Sequence, residues 1–303
     1  VSLDADQLVD RRRLKRGLTI WRVAAVAAAV AAVAAAVGRF DVLERGKHVA
    51  RLDVDGLILE DADRDEALGR VAKDDDAKAL IVRIDSPGGT FVGGETLYRS
   101  LREVAKAKPV VAVMGGTATS AGYMTALGAE RIVARAGSVT GSIGVLMQTA
   151  DVTGLLEKLG VKPESVKSGP LKAQPNPLEP FTAPARAAAE EVVLDLHAMF
   201  VEMVEERRKM PKEQALKLAD GRVFTGRQAV ANGLVDEVGG EAEARRWLAD
   251  AHKVPLTLPV KDVKISHPGE PWLDLVTTAV RKSLFSERLR LDGVMSVWHP
   301  DLR

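Results

Sequence analysis

Apolar residues follow three rhythms along this chain, and each predicts a different kind of element. The first is an unbroken run, Ile20 to Val37, almost entirely Ala and Val with Arg22 near its start. Its 18 residues, at ~1.5 Å of helical rise each, would extend ~27 Å against the ~30 Å hydrocarbon core of a bilayer. The pattern predicts a transmembrane anchor over 20–38, with Trp21 and Arg22 at the headgroup level. Residues 1–19 carry Arg11, Arg12, Arg13, Lys15 and Arg16, a positive cluster that would hold the N-terminus on the cytoplasmic side. Two other readings are a cleaved signal peptide, for which Ala34-Ala35-Ala36 offers a site, and an Ala-rich soluble helix.

The second rhythm begins at Val49, where short β-rich runs alternate with helical stretches. Strands are expected at Val49–Leu59, Ala79–Ile84, Pro109–Met114 and Arg131–Ala134, and helices at Arg64–Lys73, Gly94–Ala107 and Ser120–Ala129. Such βαβα alternation predicts an α/β domain, over 39–256, with a largely parallel sheet covered by helices. The third rhythm is helical and long: Thr182 to Lys209 carries Val192, Leu196, Phe200 and Met203 on one stripe, stopped before Pro211. Shorter helices are expected at Thr225–Ala231 and Glu241–His252. Residues 257–303 read as a tail with an amphipathic stretch through Trp272 and Leu284, ending in a peripheral or subunit-docking segment around Val297-Trp298-His299-Pro300.

Composition narrows the chemistry. Of 303 residues, 43 are Lys or Arg and 42 Asp or Glu, so no global field recruits nucleic acid and none is expected as a partner. Cysteine is absent, which excludes a thiolate nucleophile, a disulfide and a thiolate-held metal. The five histidines are scattered without ligand spacing, so neither a metal nor another cofactor is expected.

Two glycine-rich segments carry the candidate chemistry. Asp85-Ser86-Pro87-Gly88-Gly89 and Gly116-Thr117-Ala118-Thr119-Ser120-Ala121-Gly122-Tyr123 each follow an apolar strand-like run. Glycines let backbone N–H groups line a cavity, and a serine at a helix start can serve as nucleophile, so the pair reads as an oxyanion hole and a nucleophile. Taken singly, the first is an ordinary turn and Ser120 an ordinary N-cap. A Ser-His-Asp triad on a nucleophile elbow is disfavoured: Ala118 occupies the first glycine of G-x-S-x-G, and no histidine has a suitable setting. A lysine drawn into an apolar site can act as base instead; Lys167 and Lys172 both qualify, and the residues alone leave them even.

Five segments in order, the two above with Thr140-Gly141-Ser142-Ile143-Gly144, Lys167-Ser168-Gly169-Pro170-Leu171-Lys172 and Asp220-Gly221-Arg222-Val223-Phe224-Thr225-Gly226, resemble the signal peptide peptidase A family of membrane-bound serine peptidases over about residues 47 to 255. That resemblance implies a ClpP/crotonase-like fold of repeated ββα units behind one transmembrane helix, and a Ser-Lys dyad. Ser120 would be the nucleophile, Lys172 the base, Ser142 the group positioning the lysine, and Gly88, Gly89 and Ala121 the oxyanion hole. It further implies remnant signal peptides, and misfolded envelope proteins, as substrates, a homo-oligomeric ring, and a bacterial inner-membrane location with the peptidase domain on the extracytoplasmic side. The family often has Asn where this chain has Asp85 and Gly where it has Ala121, which touches pocket detail. Alternatives are another membrane member of the clan, such as a sohB-like or stomatin-associated peptidase, an acyl-CoA enzyme of the crotonase type, or an inactive membrane scaffold.

Overall fold

The computed structural model describes residues 21–28 and 46–265, and the backbone of 294–297. Two units divide the chain, 1–46 and 47–303. In the first, residues 21–28 are helical (α1); most of the expected anchor lies outside the described residues, as does the amphipathic stretch through Trp272 and Leu284. No helix among the described residues is long and apolar enough to cross a membrane.

The second unit is α/β, as the alternation predicts. In chain order it runs β1 (His48–Ile58), α2 (Ala62–Lys73), β2 (Ala77–Thr90), α3 (Phe91–Ala107), β3 (Val110–Thr119), α4 (Ala121–Ala126), β4 (Arg131–Ala134), β5 (Val139–Gly141) and β6 (Leu146–Met147). It continues α5 (Thr153–Lys158), α6 (Ala183–Arg208), α7 (Lys212–Leu218), β7 (Val223–Thr225), α8 (Gly226–Ala231), β8 (Glu237–Val238), α9 (Glu241–His252), β9 (Val260–Asp262) and β10 (Val294–Val297). Residues 260–262 and 294–297, expected in a tail, are therefore strands.

Side-chain alternation along the central strands explains the layering. Leu52, Leu80, Val82, Ile84, Ala112 and Met114 face a core built with α2, α3, α4 and α6. Residues of the opposite alternation, Val49, Ile81, Val111, Val113 and Val133, face Ala244 and Leu248 of α9 on the other side. Strands buried on both faces read as continuous apolar runs, which is how Ala79–Ile84 appears in the sequence.

The sheet has a parallel base and a forked rim. In the base, β9, β1, β2, β3, β4 and β8 are neighbours in that order, all parallel. The β1–β2 ladder slips between Asp55 and Leu57, and the β2–β3 ladder between Ile84 and Ser86. Above the last β2–β3 pair, Ser86 with Ala118, the two strands part. From there β2 pairs with antiparallel β10, and β10 with β6, while β3 pairs with β5, and β5 with antiparallel β7. Ligands in open α/β sheets bind beyond the carboxyl ends of strands where neighbours change, and this fork is such a place.

Candidate active site

Ser120 stands at the root of the fork, between the end of β3 and the start of α4. Its position before a helix suggested an N-cap, but its side chain makes no capping bond. Its backbone has φ 58° and ψ −119°, outside the wells open to L-residues at low cost. The strained strand-to-helix turn that G-x-S-x-G motifs serve is thus present although Ala118 replaces the first glycine. Two contacts impose it. The Ser120 N–H donates to the Gly141 carbonyl on β5 at 2.8 Å, and its own carbonyl accepts from the Met124 N–H at 2.9 Å. Ser120 is 1% exposed.

The turn is backed by α4, whose six residues are all buried, in place of the helix to Ala129 expected from the sequence. Tyr123, fully buried, donates its hydroxyl to the Leu234 carbonyl at 2.9 Å, and burial pushes its phenol far above the ordinary tyrosine value. The guanidinium of Arg207, at the end of α6, donates to the carbonyls of Leu127 and Ala129 just past α4, satisfying acceptors that a helix end leaves open. Gly122 lets the helix approach β2 closely: a Cβ there would lie 3.1 Å from the Ser86 carbonyl oxygen.

The Asp-Ser-Pro-Gly-Gly segment is the upper part of β2, where the sequence suggested a turn. Gly89 crosses β1 so closely that a Cβ would fall 1.9 Å from the Ile58 carbonyl oxygen. Buried hydroxyls fix the peptide planes here. Ser86 Oγ accepts from the Gly88 N–H at 3.0 Å and donates to the Gly88 carbonyl at 3.2 Å. Thr119 Oγ1 donates to the Pro87 carbonyl at 3.0 Å, bridging the two prongs of the fork. The Gly88 N–H is thereby held within its own strand. Asp85 accepts from the Thr117 N–H at 2.9 Å, its carboxylate lying against Gly115 and Gly116. Neither Ser86, Thr119 nor Asp85 stood out in the sequence as positioning groups; paired hydroxyls at the ends of adjacent strands were the available signal.

Ser142 follows the residue whose carbonyl holds Ser120, so the two serines sit on adjoining backbone. It is nearly buried at φ 51° and its N–H donates to the Arg222 carbonyl at 2.8 Å. Thr140, on β5 just before it, donates to the Ala118 carbonyl at 2.7 Å. Ser120, Ser142, Gly88, Gly89 and Ala121 therefore come together at one end of the sheet.

The two lysines lie elsewhere in character. Lys167 Nζ donates to Glu179 Oε2 at 2.5 Å, and Ser165 and Gln174 donate to the same carboxylate at 2.6 Å each. These donors, Lys167 first, hold the Glu179 carboxyl down to about 2. Lys172 is on an exposed turn, its N–H donating to the Gly169 carbonyl, and its amine has no hydrogen bond or ion pair among the described residues. The burial that a lysine base needs is absent around Lys172 in one subunit. A cleft of about 400 Å3 under this turn is lined by Pro170, Leu171 and Pro180, and a second of about 420 Å3 by Leu146, Met147, Phe181 and Val193.

Residues 102–255 match the family model described as peptidase family S49. The chain belongs to peptidase family S49. Among its S49 relatives, a candidate protease of Synechocystis sp. is 37% identical over 67% of this chain and 74% of that one. A candidate signal peptide peptidase SppA of Enterococcus faecium is 31% identical over 67% of this chain and 64% of that one. A ClpP1 mutant from Listeria monocytogenes superposes with 16% identity and a TM-score of 0.43 over 63% of this chain and 91% of that one, a likeness too loose to add weight to the assignment. No group of acidic or histidine side chains among the described residues could hold a metal ion.

Proposed function

We propose that this S49 chain is a serine endopeptidase in which Ser120 and Lys172 form the catalytic dyad. The observation that carries the reading is the strained, buried conformation of Ser120, which serves no capping role and points to strain kept for chemistry. The amine of Lys172 takes the Ser120 proton as Oγ bonds to the scissile carbonyl carbon. The N–H groups of Gly89 and Ala121 stabilise the resulting oxyanion, Lys172 returns the proton to the leaving amine as the C–N bond breaks, and water then releases the acyl group. Lys167 is tied to Glu179, which favours Lys172 as the base. Exposed Lys172 needs a covering surface, and a neighbouring copy in a ring would supply it while Ser142 positions the amine. The forked sheet fits the ClpP/crotonase-like arrangement that the resemblance implied.

For substrates we propose membrane-held signal peptides left after cleavage of secreted proteins, and misfolded envelope proteins, with the domain outside the bacterial inner membrane behind an anchor over 20–38. The name carried by the Enterococcus relative and the Ala/Val run support this. The test is turnover of a fluorogenic peptide. Ser120→Ala and Lys172→Ala should each lower kcat by about a thousandfold or more, while Lys167→Ala retains activity within about tenfold. Loss in Lys167→Ala alone would transfer the base to Lys167, and full activity in Ser120→Ala would end the serine reading.

A further inference from the structure

We propose that the turn Asp220-Gly221-Arg222 is the element that positions Ser142, and that Asp220, although it touches no reacting atom, sets the proton affinity of the base through it. The inference rests on the peptidase reading, in which Ser142 aims the amine of Lys172, for its chemical consequence. The grip of the turn on Ser142 stands on hydrogen bonds alone.

Three observations carry it. The Ser142 N–H donates to the Arg222 carbonyl at 2.8 Å, and the Gly221 N–H donates to the Ile143 carbonyl at 3.1 Å. These two bonds fix the peptide planes that precede Ser142 and follow Ile143, and so impose on Ser142 a φ of 51°, a left-handed value that a serine seldom keeps unaided. The turn making the grip has a shape of its own. The Asp220 carboxylate accepts from the Arg222 N–H at 3.2 Å and from Arg222 Nε at 2.8 Å, and Gly221 between them has φ 86°, open to glycine at no steric cost. An aspartate bonded to the backbone two residues on holds such a turn by itself. The turn is also fastened at both ends. His197 Nε2, on α6, donates to the Ala219 carbonyl at 2.8 Å. Beyond β7, Gly226 lies so close to the chain that a Cβ would fall 2.0 Å from the Arg135 carbonyl oxygen. Between these points Val223, Phe224 and Thr225 pair with Gly141, Thr140 and Val139. The turn cannot slide along β5, and the Arg222 carbonyl stays opposite Ser142.

The consequence falls on the base. A lysine released from Ser142 relaxes towards water, where its pKa returns towards the ordinary value near ~10.4. Less of it is then neutral at pH 7, and the acidic limb of the kcat profile moves to higher pH. Asp220→Ala removes the acceptor that shapes the turn, whereas Asp220→Asn keeps an Oδ1 for the Arg222 N–H and serves as rescue. In the full-length protein we expect the Ser142 amide of Asp220→Ala to exchange about tenfold or more faster than in wild type, with the amides of β2 unchanged. At pH 7 its kcat on a fluorogenic peptide should fall about tenfold or more with KM little changed, and the loss should shrink as the pH rises towards 10. Asp220→Asn should restore both the exchange rate and the profile. Unchanged exchange at Ser142 overturns the grip. Faster exchange with a kcat loss equal at every pH, with no loss at all, or with no rescue by Asp220→Asn overturns the positioning role. If exchange follows the expected order but wild type neither turns over substrate nor is labelled at Ser120 by a fluorophosphonate, the grip stands and the peptidase reading falls.

Discussion

The two halves of the proposed dyad are built in opposite ways. Around Ser120 the turn and the adjoining end of β2 are pinned by hydrogen bonds through Gly141, Met124, Thr119 and Ser86, and little of it reaches solvent. Around Lys172 the chain between β6 and α6 is largely exposed, packed mainly on itself through the Lys167–Glu179 cluster. The long helix shows the same division: Phe200, Val201 and Val204 near its C-terminal end are buried, whereas Val192 and Leu194 are 46% and 57% exposed. A group that must be aimed at an electrophile can be finished inside one subunit. A group whose proton affinity must be lowered by drying can be left for an assembly to finish, which ties activity to association.

The sharpest way to break this contrast is to place one methyl group on each side. Gly89→Ala puts a Cβ 1.9 Å from the Ile58 carbonyl oxygen, where only backbone can give way, and should cost ~3 kcal/mol or more of unfolding free energy or prevent folding. Gly169→Ala meets nothing within 4 Å and should stay within ~0.5 kcal/mol. Urea melts of the two variants measure both; equal stabilities would show that the two regions are not differently constrained.

Of intermediate size is the loss of the hydroxyl braces. Thr119→Val frees the Pro87 carbonyl and should lower kcat about ten- to hundredfold with KM little changed, because the brace fixes the peptide plane next to the one that carries the Gly89 donor. Thr119→Ser should restore most of it. A KM effect that Thr119→Ser fails to restore would assign Thr119 to packing alone.

The smallest effect concerns pH on the lysine side. The Glu179 carboxylate, held down to about 2 chiefly by Lys167, contributes in full above the ordinary glutamate value near ~4.3 and is lost as the pH falls through about 2. Amide exchange in residues 161–182 should therefore quicken between about pH 4 and pH 2 beyond the change seen in β2, and Glu179→Gln should abolish that extra step. An identical response in both regions would remove the clamp from the account.

Much of the base was legible because burial on two faces writes itself as apolar runs: β4 and α9 fall at their expected residues, and α6 within one residue at each end. The rim was not. Pro87, Gly88 and Gly89 signal a turn by local preference, yet β2 continues through them because β1 and β10 pair with this stretch from either side. Ser120 resembled an N-cap because the residue type is right; the contact with the carbonyl of Gly141, 21 positions on, has no local signal in the sequence. The strand β10 looked like a loose end for the same reason, since its partners lie more than a hundred residues earlier.

Two of the ladder slips, at Asp55–Leu57 and at Ile84–Ser86, lie side by side and act as a seam across the sheet. Below it, register is dictated by two packed cores, and a one-residue shift would turn every inward side chain outward. Above it, the strands take their register from one another and from hydroxyl braces. Insertions or exchanges in the rim can therefore be absorbed at the seam without being transmitted downwards, so that the rim can be recut while the slab carrying it stays as it is.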